Sequence, residues 1–569
     1  MIRKQKTPTV WWAFAALGIG VLGTIGMWAW RFGSTYWQVS NGGIVYLTWA
    51  NARFCLLPWD ILDCRQIFTM SGYANMRKIT TFQFMVFAPL LAGSGIFGFG
   101  VWQRWLRQKE RIILAGGTVA DYPELVAVAR KEQKVGALPL YGEWGLSDLR
   151  SLNGMVVFGA PGSGKSNFIR HLMQSATNVG DRQIVYAFKP EVYGLLPPIP
   201  ITDENETGYP LLISPADRRS WVWDIAKEVT SVEECIELAR YLVQGNDIEF
   251  FREAAQTVAA VIVIKLHTEK PGAWTWQELF DGVLMSDEEF EQAAMTYHPP
   301  ALKLVTAEER QWDSVRSTLQ IAFNKLQLLG RAWGDYSGRK AISIREFMQG
   351  ERGPQTLVLG HSGRFDELSK LWIALFMTIA TKSVFHEKYR RVKGRRTWFV
   401  LDEFSRLARI DGIDQLVTAG RERGVSAVLG LQDFHAIEAT YGDHAFKTWM
   451  SSIQTKIICR TEPGETASWL MRILGKTRIR ELRTKPGPNG GTVREWHEYE
   501  DSALREAEMS SELGVVKGKG TWVIVAGYGR DLYRVLVPFV DLDPHRKAYE
   551  ASTWVDGAEK KTPPPIAAE

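Results

Sequence analysis

MVVFGAPGSGKSN, Met155–Asn167, decides how the rest of the 569-residue chain is read. Met155–Phe158 is a short apolar run, the pattern of a buried strand. Gly159, Ala160, Pro161, Gly162, Ser163, Gly164, Lys165 and Ser166 then fill every fixed position of the pattern GxxxxGK[ST]. Phe168, Ile169, Leu172 and Met173 follow at helical spacing. Strand, loop and helix in that order make a phosphate cradle. The glycines let the backbone aim successive N–H groups at phosphate oxygens, and the helix adds its positive end. Lys165 is expected to reach the β- and γ-phosphates, and Ser166 to ligate Mg2+. Gly159–Asn167 is therefore the candidate nucleotide site, with ATP and Mg2+ as the expected cofactors.

The totals limit the other readings. A chain of 569 residues leads us to expect two or three domains, and 46% hydrophobic residues supply large cores. The net charge of +5 is too mild to announce a nucleic-acid binder, and four cysteines make no disulfide scaffold.

Two uncharged stretches precede the loop. Residues 11–30 and 82–102 are each long enough to cross a bilayer, since about 20 helical residues span about 30 Å. Trp11, Trp12, Trp28, Trp30 and Trp102 sit at their ends, as interfacial anchors do. We read residues 1–110 as a two-span transmembrane domain. Cations flank both sides of the spans, so charge favours cytoplasmic termini only modestly. The triphosphate loop decides it, which puts residues 31–81 outside a bacterial inner membrane. Cys55 and Cys64 lie in that segment, either paired or free.

From residue 111 the pattern is that of a soluble α/β protein. Gln183–Phe188, Leu211–Ser214, Thr356–Leu359, Thr397–Leu401, Val425–Leu431, Thr455–Cys459 and Thr521–Ala526 read as strands of a doubly wound sheet. Residues 225–345 have helical periodicity instead, and read as an all-α insertion between the two halves, 111–224 and 346–545. Residues 546–569 read as a flexible tail.

WFVLDE, Trp398–Glu403, supplies the second half of a hydrolytic site. Asp402 is expected to hold the Mg2+ shell opposite Ser166, and Glu403 to orient and deprotonate the attacking water. Gln432, at the end of the next strand, fits a sensor of the γ-phosphate. Arg421 and Arg423, in the turn before it, fit an arginine finger offered to a neighbouring subunit.

At this point the chain resembles the coupling proteins of type IV secretion and conjugation systems, the TraD/TraG-like family. The resemblance rests on the two spans, GAPGSGKSN, Ser214–Ser220 before Trp223-Asp224, the helical insertion, WFVLDEFSRL and GRERGVSAVLGLQD. It implies a membrane-anchored RecA-like P-loop ATPase that forms a homo-oligomer, a hexamer in the family. Such proteins recruit a relaxase–DNA substrate and help drive DNA or protein into a secretion channel. It gives Lys165, Asp402 and Glu403 the catalytic centre, Arg421 the finger position and Gln432 the sensor position. The chain departs from the family at one strand end, where Tyr-Asp-Pro-Lys-Gly-Glu is replaced by Tyr186-Ala-Phe-Lys-Pro-Glu191. Lys476, Arg478, Arg480, Arg483 and Lys485 cluster before Pro486–Gly491, which reads as a mobile basic loop able to track a DNA backbone. Two other readings compete: an FtsK/HerA-like translocase of double-stranded DNA, and a membrane docking scaffold that uses ATP only to assemble.

Overall fold

The protein is described by a computed structural model covering residues 17–25, 36–38, 44–46, 88–99, 111–132, 138–199, 208–244, 248–334, 336, 338–349, 355–486, 492–540 and 543–556. It divides into two units. The larger holds residues 117–475 and 502–569, and the smaller holds residues 3–116 and 476–501.

The larger unit is built on an 11-stranded sheet. Its strands are β1 (Val119–Asp121), β2 (Met155–Phe158), β3 (Arg182–Ala187), β4 (Leu211–Ile213), β5 (Thr356–Gly360) and β6 (Thr397–Leu401). They continue with β7 (Val425–Leu431), β8 (Thr455–Ile458), β9 (Gly514–Val516), β10 (Gly520–Ala526) and β11 (Leu532–Val537). The order is β1-β11-β10-β8-β2-β7-β6-β3-β5-β4, with β9 on β10. The seven strands from β8 to β4 are parallel. Their residues are almost all buried, so they read in sequence as continuous apolar runs. β10 and β11 form an antiparallel hairpin because the chain between them is too short for a crossover.

Two helices matter for the site. α1 (Lys165–Asn178) leaves β2, and α8 (Asp366–Phe385) leads to β6. The segment Gly363–Phe385 is long and apolar enough to cross a membrane, but 72% of its apolar window is buried here. It is a core helix, covering the sheet with Trp372 and Phe376 fully enclosed.

The all-α insertion comprises α2 (Val232–Leu242), α3 (Glu249–Glu269), α4 (Trp276–Asp281), α5 (Asp287–Tyr297), α6 (Glu309–Asn324) and α7 (Leu326–Trp333). Capping boxes start α4 and α5: Thr275 with Glu278, and Ser286 with Glu289. α3 is the central rod, with an unbroken buried run from Val258 to Ile264. The chain enters and leaves this domain side by side, where Val222–Trp223 pairs with Ala341–Ile342. Glu228 ties the two crossings together. Its carboxylate accepts from Trp223 Nε1 at 2.9 Å, Ile344 N at 2.7 Å and Arg345 N at 3.1 Å.

The sheet edge at β4 is clamped by the chain end. Asp217, just past β4, bridges to Ala551, and Trp554 Nε1 donates to Pro215 O at 2.9 Å. The Arg546 guanidinium lies over Tyr193 and Tyr209 at 4.9 and 4.5 Å. Residues 546–556 are therefore a strap held by cation–π and backbone contacts, not the free tail read from their composition. Residues 557–569 lie outside the described residues.

In the smaller unit, strand Arg111–Ala115 pairs with Lys476–Pro486, which pairs with Thr492–Ser502. The basic cluster thus sits on a strand rather than a loop, and acids from the same hairpin partner it. Arg478 and Arg480 both reach Glu498, Lys485 reaches Glu495 at 3.2 Å, and Arg483 reaches Glu481 at 3.3 Å. These cations are therefore interleaved with acids on an exposed hairpin, which makes the surface less positive than the cluster alone suggests. Residues 487–491 lie outside the described residues. Helices at 17–25 and 88–99 approach closely at Gly20, where a Cβ would lie 2.8 Å from Pro89 O and 3.4 Å from Gly93 Cα. Their outer faces carry exposed Ile19, Leu22, Leu91 and Ile96. The remainder of both expected spans, and Cys55 and Cys64, lie outside the described residues.

Burial pushes the Glu228 carboxyl up from 4.5 to about 7. The native chain therefore holds a proton that the unfolded chain has released between those values. This group's contribution to stability is greatest below 4.5 and is lost as pH rises through about 7. We predict that Glu228→Gln removes this slope: a melting temperature followed from pH 5 to 8 falls less in the variant than in the wild type. Parallel curves would contradict the assignment.

Candidate nucleotide site

Everything expected at the phosphate end converges on the carboxyl ends of β2, β6 and β7. The loop Gly159–Gly164 turns back on itself, with Gly159 N donating to Leu431 O at 3.0 Å and Ala160 N to Arg460 O at 2.9 Å. Gly164 caps α1 at φ +90, and a Cβ there would lie 2.4 Å from the Thr521 side chain. Only glycine meets both conditions.

α1 then delivers Lys165 and Ser166 to the end of β6. Ser166 Oγ donates to Asp402 Oδ2 at 2.7 Å. Lys165 Nζ lies 3.3 Å from Glu403 Oε1 and 3.8 Å from Asp402 Oδ1. Gln432 Nε2 donates to Glu403 Oε2. Lys165 is only 4% exposed, so its charge needs these carboxylates. Glu403 is the one non-glycine residue with positive φ among the described residues, at φ 62 and ψ 41.

The arrangement fits a metal-bound triphosphate. Asp402 Oδ1 is buried and accepts no hydrogen bond, although its partner oxygen is held on Ser166. A hard cation prefers such an oxygen pair, and the N-terminus of α1 prefers anions. Thr461 Oγ1 and Thr521 Oγ1, both beside the loop, are likewise buried without partners. A cavity of about 410 Å³ adjoins, lined by Ala160, Pro161, Gln432, Asp433 and Thr461 among others.

Two expected residues stand elsewhere. Asn167 Nδ2 donates to Pro538 O at 2.9 Å, and its Oδ1 accepts from Val540 N at 3.1 Å. Its own N–H is spent on Gly164 O. Asn167 therefore holds α1 to the chain after β11, and its side chain is not free to meet a nucleotide. Arg421 is exposed on the turn Gly420–Arg423, before β7 begins, with Nη1 3.4 Å from Asn153 Oδ1. Gln432 follows the other end of that seven-residue strand, about 20 Å away. Arg421 does not reach the site of its own chain.

Gly430 escaped the sequence reading. A Cβ on it would lie 2.8 Å from Asp402 Oδ1 and 3.1 Å from Asp402 Cα. The signal was present: a glycine inside the apolar strand Val425–Leu431 marks a close approach.

Residues 144–514 match the family model of the type IV secretion-system coupling protein DNA-binding domain. The chain belongs to the type IV coupling protein family. It is 21% identical over 381 residues to the coupling protein TraD of Escherichia coli strain K12, covering 65% of this chain. The chain spans about half the length of that relative, the match covering 50% of it. Among solved structures, the bacterial conjugative coupling protein TrwB with sulphate superposes with a TM-score of 0.64 at 16% identity, over 78% of this chain and 98% of that one. The plasmid coupling protein TrwB with ADP and Mg2+ gives 0.61 at 16% identity, over 77% and 98%. At that identity the coupling protein shares its fold with TrwB, and its chemistry rests on its own residues.

Gly430→Ala is predicted to push the Asp402 carboxylate off Ser166 and to weaken Mg2+-dependent nucleotide binding about tenfold, roughly 1.4 kcal/mol. Calorimetric titration with and without Mg2+ checks it. Unchanged Mg2+ dependence would contradict the close approach as the reason for the glycine.

Proposed function

We propose that this coupling protein is an inner-membrane ATPase that couples a relaxase–DNA substrate to a type IV secretion channel in conjugation. The single observation that carries the reading is the contact of Ser166 and Lys165 with Asp402 and Glu403. ADP and Mg2+ in the similarly folded TrwB support the same ligand here. With the nucleotide bound, Mg2+ would be held by Ser166 and Asp402 and would neutralise charge on the phosphate oxygens. Lys165 leaves its carboxylates for the β- and γ-phosphates. Glu403, released from Lys165 and still held by Gln432, takes a proton from the attacking water. Gln432 transmits the state of the γ-phosphate along β7.

Arg421 acts in trans. Its place at the opposite end of β7, exposed and only weakly bonded, favours a finger that completes a neighbour's site in a ring, as in the hexamers of the family. The family model's DNA-binding description supports DNA as the polymer moved. The helices at 17–25 and 88–99, glycine-packed with apolar outer faces, support a two-pass anchor, and a cytosolic nucleotide site would put both termini in the cytoplasm. An active-site base argues against the scaffold reading, because assembly alone needs no water activation.

Three variants test this. Lys165→Ala is expected to abolish nucleotide binding and plasmid transfer. Glu403→Gln is expected to bind ATP normally while hydrolysis falls about 10²- to 10⁴-fold. Arg421→Ala is expected to be inactive alone but to regain partial activity when mixed with Lys165→Ala subunits. Wild-type transfer by Lys165→Ala would refute the motor assignment, and an absence of complementation would refute the finger.

A further inference from the structure

Glu403 pays a backbone cost for its position. A non-glycine residue in the left-handed region costs about 1–3 kcal/mol and persists only when its surroundings hold it there. Lys165 and Gln432 hold the carboxylate end. The backbone end is a tight turn, with Arg406 N donating to Glu403 O at 2.8 Å and Leu407 N to Phe404 O at 3.1 Å. On one side of that turn Phe404 is buried against Tyr441 and Trp449.

The other side is held by a stack drawn from β3 and β5, the next two strands along the sheet. The Arg406 guanidinium lies over the Phe188 ring at 5.4 Å, just past β3. Phe188 packs on the His361 ring at 4.9 Å, just past β5. His361 is buried and fixed at both nitrogens: Tyr186 Oη lies 3.2 Å from Nδ1, and Asp366 Oδ1 lies 2.9 Å from Nε2. Lys370 holds Asp366 in turn at 2.6 Å. Burial lowers the pKa of His361, which favours the neutral ring. It donates from Nε2 to Asp366 and accepts the Tyr186 hydroxyl at Nδ1. Among the described residues no carboxylate pairs with Arg406, whose side chain is spent on an aromatic face instead.

We propose that Arg406, Phe188 and His361 are positioning residues that clamp the turn after β6, so that Glu403 keeps the left-handed backbone from which its carboxylate reaches the attacking water. This rests on the reading of Glu403 as the base for ATP hydrolysis. Loosening the stack lets the turn relax, which misdirects Glu403 without touching the phosphate cradle.

The test uses steady-state ATPase kinetics on the full chain with Arg406→Gln, Phe188→Leu and the double variant. Arg406 is exposed, so its replacement leaves the core intact. Each single variant is expected to lose about tenfold in kcat, with KM for ATP within about twofold and the melting temperature within a few degrees. The double variant is expected to fall no further than the worse single, because both remove one stack. His361→Gln is expected to move kcat in the same direction. Unchanged kcat, or additive losses in the double variant, would overturn the clamp. A raised KM at unchanged kcat would overturn it too, by making Arg406 a direct nucleotide contact. A wild-type chain with no ATPase activity would instead sink the reading of Glu403 itself, and the role of the stack with it.

Discussion

A buried lysine between two carboxylates sets the terms for this fold. Lys165 is almost without solvent, so removing Asp402 and Glu403 would strand its charge in a low dielectric. The loop after β2 must therefore meet the end of β6, although β7 runs between the two strands. That requirement explains the missing side chains around it. Gly430 on β7 leaves room for Asp402, and Gly164 leaves room for Thr521 on β10. The pairing is also provisional chemistry. In the proposed function a triphosphate would offer Lys165 a better partner, and its binding would free the carboxylates for a metal ion and a water.

The rest of the chain extends from that contact in two directions. Through Tyr186, His361 and Asp366 the site reaches the first turn of α8. Phe365 before that turn packs on Trp554 at 4.9 Å, and Arg364 Nη1 donates to Val555 O at 3.2 Å. Residues 546–556 are thus strapped to the β4–β5 edge of the sheet, four strands along from the nucleotide loop. In the other direction, Glu228 joins the two crossings of the helical insertion to one carboxylate. Around that carboxylate the insertion shares one apolar core with α8, where Trp333 packs on Trp372 at 5.5 Å and Trp223 on Phe376 at 5.0 Å.

Much of this was legible in the residues, for a physical reason. Parallel strands buried on both faces must be continuous apolar runs, so β2, β3, β6 and β7 announced themselves. The loop before α1 needs glycines and a lysine at fixed spacing, and the acid pair after β6 needs only its strand. Other features depend on partners distant in the chain. The basic residues from Lys476 to Lys485 read as a free cluster because their acids lie on the returning strand, at Glu495 and Glu498. Asn167 read as part of the cradle because nothing local reveals its bond to Pro538. The strap at 546–556 was invisible for the same reason, since Arg546 is ordered by tyrosines more than 300 residues earlier. His361, a lone histidine after an apolar strand, carried no signal of its stack.

The central claim is that Ser166 and Asp402 grip one Mg2+ between them. The most direct measurement is the affinity for ADP with and without Mg2+, in the wild type and in Asp402→Asn. The account predicts that Mg2+ tightens binding in the wild type by about tenfold or more, and that the asparagine variant loses that gain while keeping its metal-free affinity. An Asp402→Asn chain that still binds ADP more tightly with Mg2+, to the same degree, would contradict it.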